Sequence, residues 1–282
     1  MGGPLYVAAF AVGTTLLLLL LAELGQRGLG ADLKGGNDAQ RLAAVGEVLG
    51  VFLIAGAAVR DGVQGERLLP DVIACAAYGA VGLAASTFAG HLGVRTLLGT
   101  SLHDEVGRGN KAAGLAAAGQ MLASAIVTSR TITGSELHDL GLALVFFVIG
   151  QGTLLVFVLL FRALTTYDDA EQVHGENLAA AVSYAGVAVA IAIVVARAVQ
   201  GEDEDQFEGW LTSLRGYGGV LLGILAFYPV RQLFVQTLLM RTPLHLRGGA
   251  LDVAIAQNRS SGLATLEAAS YVATAIVIAQ LA

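Results

Sequence analysis

Apolar residues run almost unbroken through this chain in eight stretches, near residues 4–23, 41–59, 71–94, 111–129, 138–161, 178–198, 211–233 and 261–281, and polar residues gather between them. Each stretch is close to the roughly 20 residues that a helix needs to cross about 30 Å of hydrocarbon. The runs are too long and too continuous for the alternating pattern of a membrane barrel. They predict an all-α, polytopic membrane protein with eight transmembrane helices. The first run begins at Pro4, with no Lys or Arg before it and no small-residue cleavage site after it, so it is expected to be a retained span rather than a secretory signal.

The pattern repeats. Four ten-residue segments align without gaps: NDAQRLAAVG from Asn37, NKAAGLAAAG from Asn110, NLAAAVSYAG from Asn177 and NRSSGLATLE from Asn258. The four Asn are 73, 67 and 81 residues apart, and each interval holds one odd and one even span. A second signature, Arg-x-Leu, closes the odd spans at Arg27, Arg95, Arg162 and Arg231. A unit of two spans preserves orientation, so the expected architecture is four parallel helical-hairpin repeats. They form two four-helix halves, residues 1–134 and 135–282, with a boundary near Gly134.

Charge sets the expected orientation. Of the sixteen Lys and Arg residues, eleven fall in connections on one side of the eight spans and five on the other. The positive-inside rule makes the first side cytoplasmic and places both termini outside. The acidic run Glu202-Asp203-Glu204-Asp205 then also lies outside. Composition supports lipid as the solvent. Charged residues are 13% of the 282 and apolar ones 55%, the mean hydropathy is +0.70, and soluble domains carry about 25% charge. The net charge of −6 argues against nucleic acid as a partner. The lone cysteine, Cys75, cannot form an intrachain disulfide and reads as a small core residue.

The segments GRGNKAAGLAAAG (Gly107–Gly119) and VHGENLAAAVSYAG (Val173–Gly186) resemble the Asn-x-Ala-Ala helix start of family 350 of the domains of unknown function. These are small bacterial inner-membrane proteins. A typical member resembles one four-span unit, and this chain resembles two in tandem. The resemblance implies an all-helical fold and an inner-membrane location, without a reaction. It also suggests the setting of envelope-stress proteins. The first and last copies depart from the motif, reading Asn-Asp-Ala-Gln and Asn-Arg-Ser-Ser.

Candidate chemistry is sparse. The four Asn are expected to cap the even helices, and a ring of them lining one mouth is the sharper alternative. The Arg of the Arg-x-Leu signatures are expected to be interfacial anchors. Arg231, after Pro229 and before an apolar run, could lie deeper and would then need an acidic partner. Within spans, Glu47, Gln120 and Glu267 stand about ten residues beyond their Asn, near midplane, and His91 is one turn before Arg95. A carboxylate in hydrocarbon must be protonated, paired or wet, so each marks either an interhelical hydrogen bond or passage of an ion or proton. There is no ligand spacing for a metal, no cofactor motif and no catalytic constellation. The expectation is therefore a non-enzymatic membrane protein, either a channel or transporter for an ion or small solute, or a scaffold. Its partners would be the bilayer, further copies of itself or another membrane protein. Stripes of small residues at Gly82, Ser86 and Gly90, and at Gly219 and Gly223, are expected at helix contacts.

Overall fold

The computed structural model describes residues 3–28, 36–99, 102–132, 134, 136, 139–200, 210–245 and 247–282, the side chains of 26–28, 102–103 and 210–214 excepted. Arg27 and the acidic run 202–205 therefore lie outside the described side chains. The fold is all helical, with eight helices long and apolar enough to cross a membrane. Seven of these spans centre on α1 (Pro4–Gly28), α2 (Asp38–Gly62), α3 (Leu68–Leu98), α5 (Lys111–Thr131), α6 (Leu140–Arg162), α8 (Leu178–Gln200) and α12 (Ser261–Leu281). The eighth, between α8 and α12, changes winding along its length. It starts as α9 (Trp210–Leu222) and passes through a 3-10 turn (Gly223–Ala226) and the single turn α10 (Phe227–Pro229). It finishes as a π-helical stretch, Val230–Leu239. Pro229 cannot donate to the helix ladder and crowds the preceding turn, a local reason for the wider winding that follows it.

Three short helices absent from the hydropathy reading precede the later even spans. They are α4 (Leu102–Gly107), α7 (Asp169–His174) and α11 (Ala250–Ala256). They gather at one end of the spans, called here the short-helix end.

The even spans pack side by side in the order α2, α5, α8, α12. The odd spans lie against the joints of this row, with α1 on α2 and α3, α3 on α2 and α5, and α6 on α5 and α8. α9 touches α8, and the π-helical stretch touches α12. Lipid exerts no hydrophobic drive between helices, so their approach is governed by side-chain size. At each joint a glycine meets the next helix. A Cβ on Gly46 would strike the Ala118 backbone, one on Gly119 would strike Ala185, and one on Gly186 would strike Ala268. Gly114 leans in the same way on the backbone of Ala39. α5, the least apolar span, is the most enclosed of the eight. Gly82 and Gly90 are also used inside the chain, against Ile54 and Met121, and Gly223 meets Ile278. Gly219 faces open space instead of a helix contact.

Three of the four asparagines do the same two jobs. Asn37 accepts from the Gln40 amide in a capping box, and its Nδ2 donates to Val106 O at the end of α4 (2.9 Å). Asn110 accepts from the Ala113 amide and donates to Val173 O of α7 (2.8 Å). Asn177 accepts from the Ala179 amide and donates to Ile255 O of α11 (2.9 Å). Each caps its own helix and ties it to the short helix that precedes the next even span. They form a ladder along the row, not a ring around a mouth.

Asn258 departs from this pattern. It is exposed, and α12 is capped instead by Ser260, which makes no side-chain cap bond. The residues just before Asn110, Asn177 and Ser260 share a left-handed backbone: Gly109 (φ 88°), Glu176 (φ 57°) and Arg259 (φ 51°). The fourth segment is thus shifted by two positions from the gap-free alignment. Asn110→Ala is expected to cost about 1–3 kcal/mol, through the lost cap and the lost bond to the Val173 carbonyl. Asn258→Ala should stay within about 0.5 kcal/mol of the parent. Thermal midpoints in detergent measure both.

Candidate functional site

At the short-helix end of the second half, five acidic and basic side chains form one connected cluster. Arg231, in the first turn of the π-helical stretch, is only 1% exposed. Its Nε donates to Glu267 Oε1 (2.5 Å), and its Nη2 pairs with Asp252 of α11. Glu267, also 1% exposed, accepts two further bonds, from Tyr271 Oη (2.9 Å) and from Ser183 Oγ of α8 (2.7 Å). Arg162 reaches the same Ser183 Oγ (3.3 Å) and pairs with Asp169 of α7. Gln232, with its amide oxygen turned toward donors, accepts from Arg231 Nη1 (3.3 Å) and from Tyr228 Oη (3.3 Å). The apolar wall beside the cluster is aromatic. Tyr271 packs edge-on against Phe161, with ring centroids 5.2 Å apart.

Asp252 links the cluster to the surface. Its Oδ2 accepts from the amide (2.8 Å) and the hydroxyl (2.7 Å) of Thr166, an exposed residue in the connection after α6. Burial alone would raise the Asp252 carboxyl. The Arg231 guanidinium and the Thr166 donors outweigh it and hold the group below the usual carboxylate range. It is therefore ionised at neutral pH, and its pairing is lost only as the pH falls below the ordinary carboxylate range.

Formally the cluster holds three carboxylates (Asp169, Asp252, Glu267) and two guanidiniums (Arg162, Arg231), a balance of −1 when all are ionised. Desolvating charge is costly unless it is matched. The arrangement can therefore hold one proton or one small cation where the pairing leaves a charge over.

The structure separates the residues that the sequence grouped. Glu267 lies seven residues past its cap and Gln120 ten, about 10 Å and 15 Å into their helices at 1.5 Å per residue. Gln120, fully buried, accepts from Tyr184 Oη (2.9 Å). Glu47 is half-buried on α2, at the far end of the row from α12. Gln120 and Glu267 therefore make separate helix contacts, and Glu47 stands on another helix, α2. A groove of about 320 Å³ lies elsewhere, between α1 and α3, and it is lined by apolar residues such as Phe10, Leu17 and Val72. His91 is half-buried on α3, away from the cluster.

The three signature arginines whose side chains are described also differ. Arg95 is exposed, as an interfacial anchor should be. The Arg162 side chain is only 9% exposed, and Arg231 is wholly inside, with the acidic partner its burial requires. Each of these two is turned inward onto a carboxylate from a short helix. Sequence reasoning missed Asp169 and Asp252. The available signal was position, since each stands eight residues before its helix cap, Asn177 or Ser260. The residue eight before Asn110 is Leu102, and the matching Arg95 stays exposed.

Among the described residues, the first half thus holds no counterpart of the ionic cluster in the second. Comparison with known proteins follows the same division. A search of curated proteins and of solved structures finds no match. The family model of DUF350, a Domain of Unknown Function, matches residues 135–282, just over half of the chain and the whole of the part that carries the cluster. On that match, this eight-span helical chain belongs to the DUF350 family.

Proposed function

We propose that the protein passes a proton, or a small cation in its place, across a bacterial inner membrane, with Glu267 as the group that takes it up. The observation that carries this reading is the uneven charge of the buried cluster. Structural ion pairs tend to balance, whereas Glu267 and Asp252 share the one Arg231 guanidinium, which leaves the cluster a negative charge for a proton or cation to meet. Thr166 and Asp252 give the cluster a route to the short-helix surface. On this reading the protein is non-catalytic and the short-helix end faces the cytoplasm, as the basic connections favour. Both termini then lie outside. The chain is read as four parallel hairpins, a view supported by the recurrent jobs of Asn37, Asn110 and Asn177.

The test is a proteoliposome with a pH-reporting dye inside and an imposed potassium diffusion potential. Wild-type protein should acidify or alkalinise the lumen according to the sign of the potential. Glu267→Gln, which brings the cluster to formal neutrality, should abolish the flux and leave the fold intact. Wild-type traces that match empty liposomes would sink the proposal. A second reading, a membrane scaffold that binds a partner protein, is favoured by the tight glycine joints of the even-helix row. Stable co-purification of a partner together with absent flux would put that reading first.

A further inference from the structure

Two buried polar atoms on α5 have no partner, Gln120 Nε2 and Ser124 Oγ. Both residues are fully enclosed. They stand four residues apart, so they share one helix face on adjacent turns. Other polar groups converge on the same strip. Tyr184 Oη donates to the Gln120 oxygen. Gln151 of α6 donates through Nε2 to Ser124 O (2.9 Å) and to Thr128 Oγ1 (3.3 Å). Opposite Gln120 stands Gly93 of α3, where any Cβ would collide with the amide. The missing side chain is what leaves space for that amide.

An unmatched donor in a dry interior costs about 1–3 kcal/mol, and two on successive turns cost more. Buried polar groups left in this state are usually met by water, which needs two to four polar partners. We propose that the strip from Gln120 to Thr128 is an internal hydration site, holding water between Gln120 Nε2 and Ser124 Oγ. Thr128 and Ser124 extend it along α5 away from the short-helix end.

One helix, α8, stands between the strip and the ionic cluster. α8 presents consecutive residues to the two sites, Ser183 to Glu267 and Tyr184 to Gln120. Resting on the transport reading above, the hydrated strip is the next stretch of the proton's route after Glu267. A proton delivered to its water at one end is matched by one released at the other, with no net change in the strip.

Radiolytic hydroxyl labelling of the full-length protein in nanodiscs tests the hydration. Radicals formed from internal water mark the side chains beside them. Tyr184 and Met121 should label severalfold more than Phe227, which is equally enclosed but packed among aromatic rings. The double variant Gln120→Leu, Ser124→Ala removes both unmatched atoms and, because it also takes the acceptor from the Tyr184 hydroxyl, should melt somewhat below the parent while keeping its helical circular dichroism. In it, Tyr184 and Met121 should fall to the Phe227 level. Labelling of Tyr184 no greater than Phe227 in the wild type, or labelling unchanged in the double variant, overturns the hydration site. Proton flux separates the two proposals. If Glu267→Gln abolishes flux and the double variant keeps it in full, the route through the strip is wrong and the transport reading stands. If the wild type carries no flux, the transport reading falls and labelling alone decides the strip.

Discussion

Arg231→Met should destabilise the protein by about 3–5 kcal/mol, because it leaves Glu267 and Asp252 buried without their shared cation. The side chain is among the largest fully buried ones in the molecule and bonds to both carboxylates. Its loss is therefore mainly a loss of charge compensation, and methionine conserves most of the volume. The triple variant Arg231→Met, Asp252→Asn, Glu267→Gln removes the stranded charges along with the arginine and should recover most of the stability. Arg95→Met, at an exposed position of the same sequence signature, should change stability by no more than about 0.5 kcal/mol. Thermal midpoints of detergent-solubilised protein measure all three. An Arg231→Met protein that melts with the Arg95→Met protein would show that the cluster contributes nothing to the fold.

Gly186→Leu should be comparably damaging for a steric reason. Its Cβ would fall on Ala268 of α12, and the neighbouring atoms include backbone that no rotamer change can move. Overpacking a tight interior costs roughly 1–3 kcal/mol and sometimes more; parting two spans along their length lies at the upper end. Gly119→Leu should behave alike at the α5–α8 joint. Gly152→Leu on α6 is the control, since nothing lies within 4 Å of its Cβ position. It adds apolar surface toward lipid and should be neutral. Yield of monodisperse protein after solubilisation, with the melting midpoint, separates these outcomes. Equal behaviour of Gly186→Leu and Gly152→Leu would rule out the glycine joint as a determinant of packing.

The basic ends at Arg95, Arg162 and Arg231 show where sequence reading stops. Arg95, Arg162 and Arg231 carry the same Arg-x-Leu signature, yet one is exposed, one is nearly covered and one is wholly buried. What separates them is a carboxylate on a short helix, seven residues away for Arg162 and twenty-one for Arg231. α4, α7 and α11 are too short to give a hydropathy signal of their own. The fourth asparagine makes the same point at closer range. Matching Asn258 to the other three satisfies residue identity, whereas the left-handed Arg259 and the cap at Ser260 place the helix start two residues later. That shift takes Glu267 out of level with Gln120 and Glu47 and aims it at Arg231.

The sequence by itself determined the solvent and the eight long elements. Long apolar runs in a chain this poor in charge have to bury their backbone polarity as helices in lipid, and that requirement is local to each run. Only the tertiary structure decided which helices touch, which arginines are buried and which acids meet them. Those outcomes depend on the gap between two backbones and on pairings between distant segments, and neither is encoded in the periodicity of any one stretch.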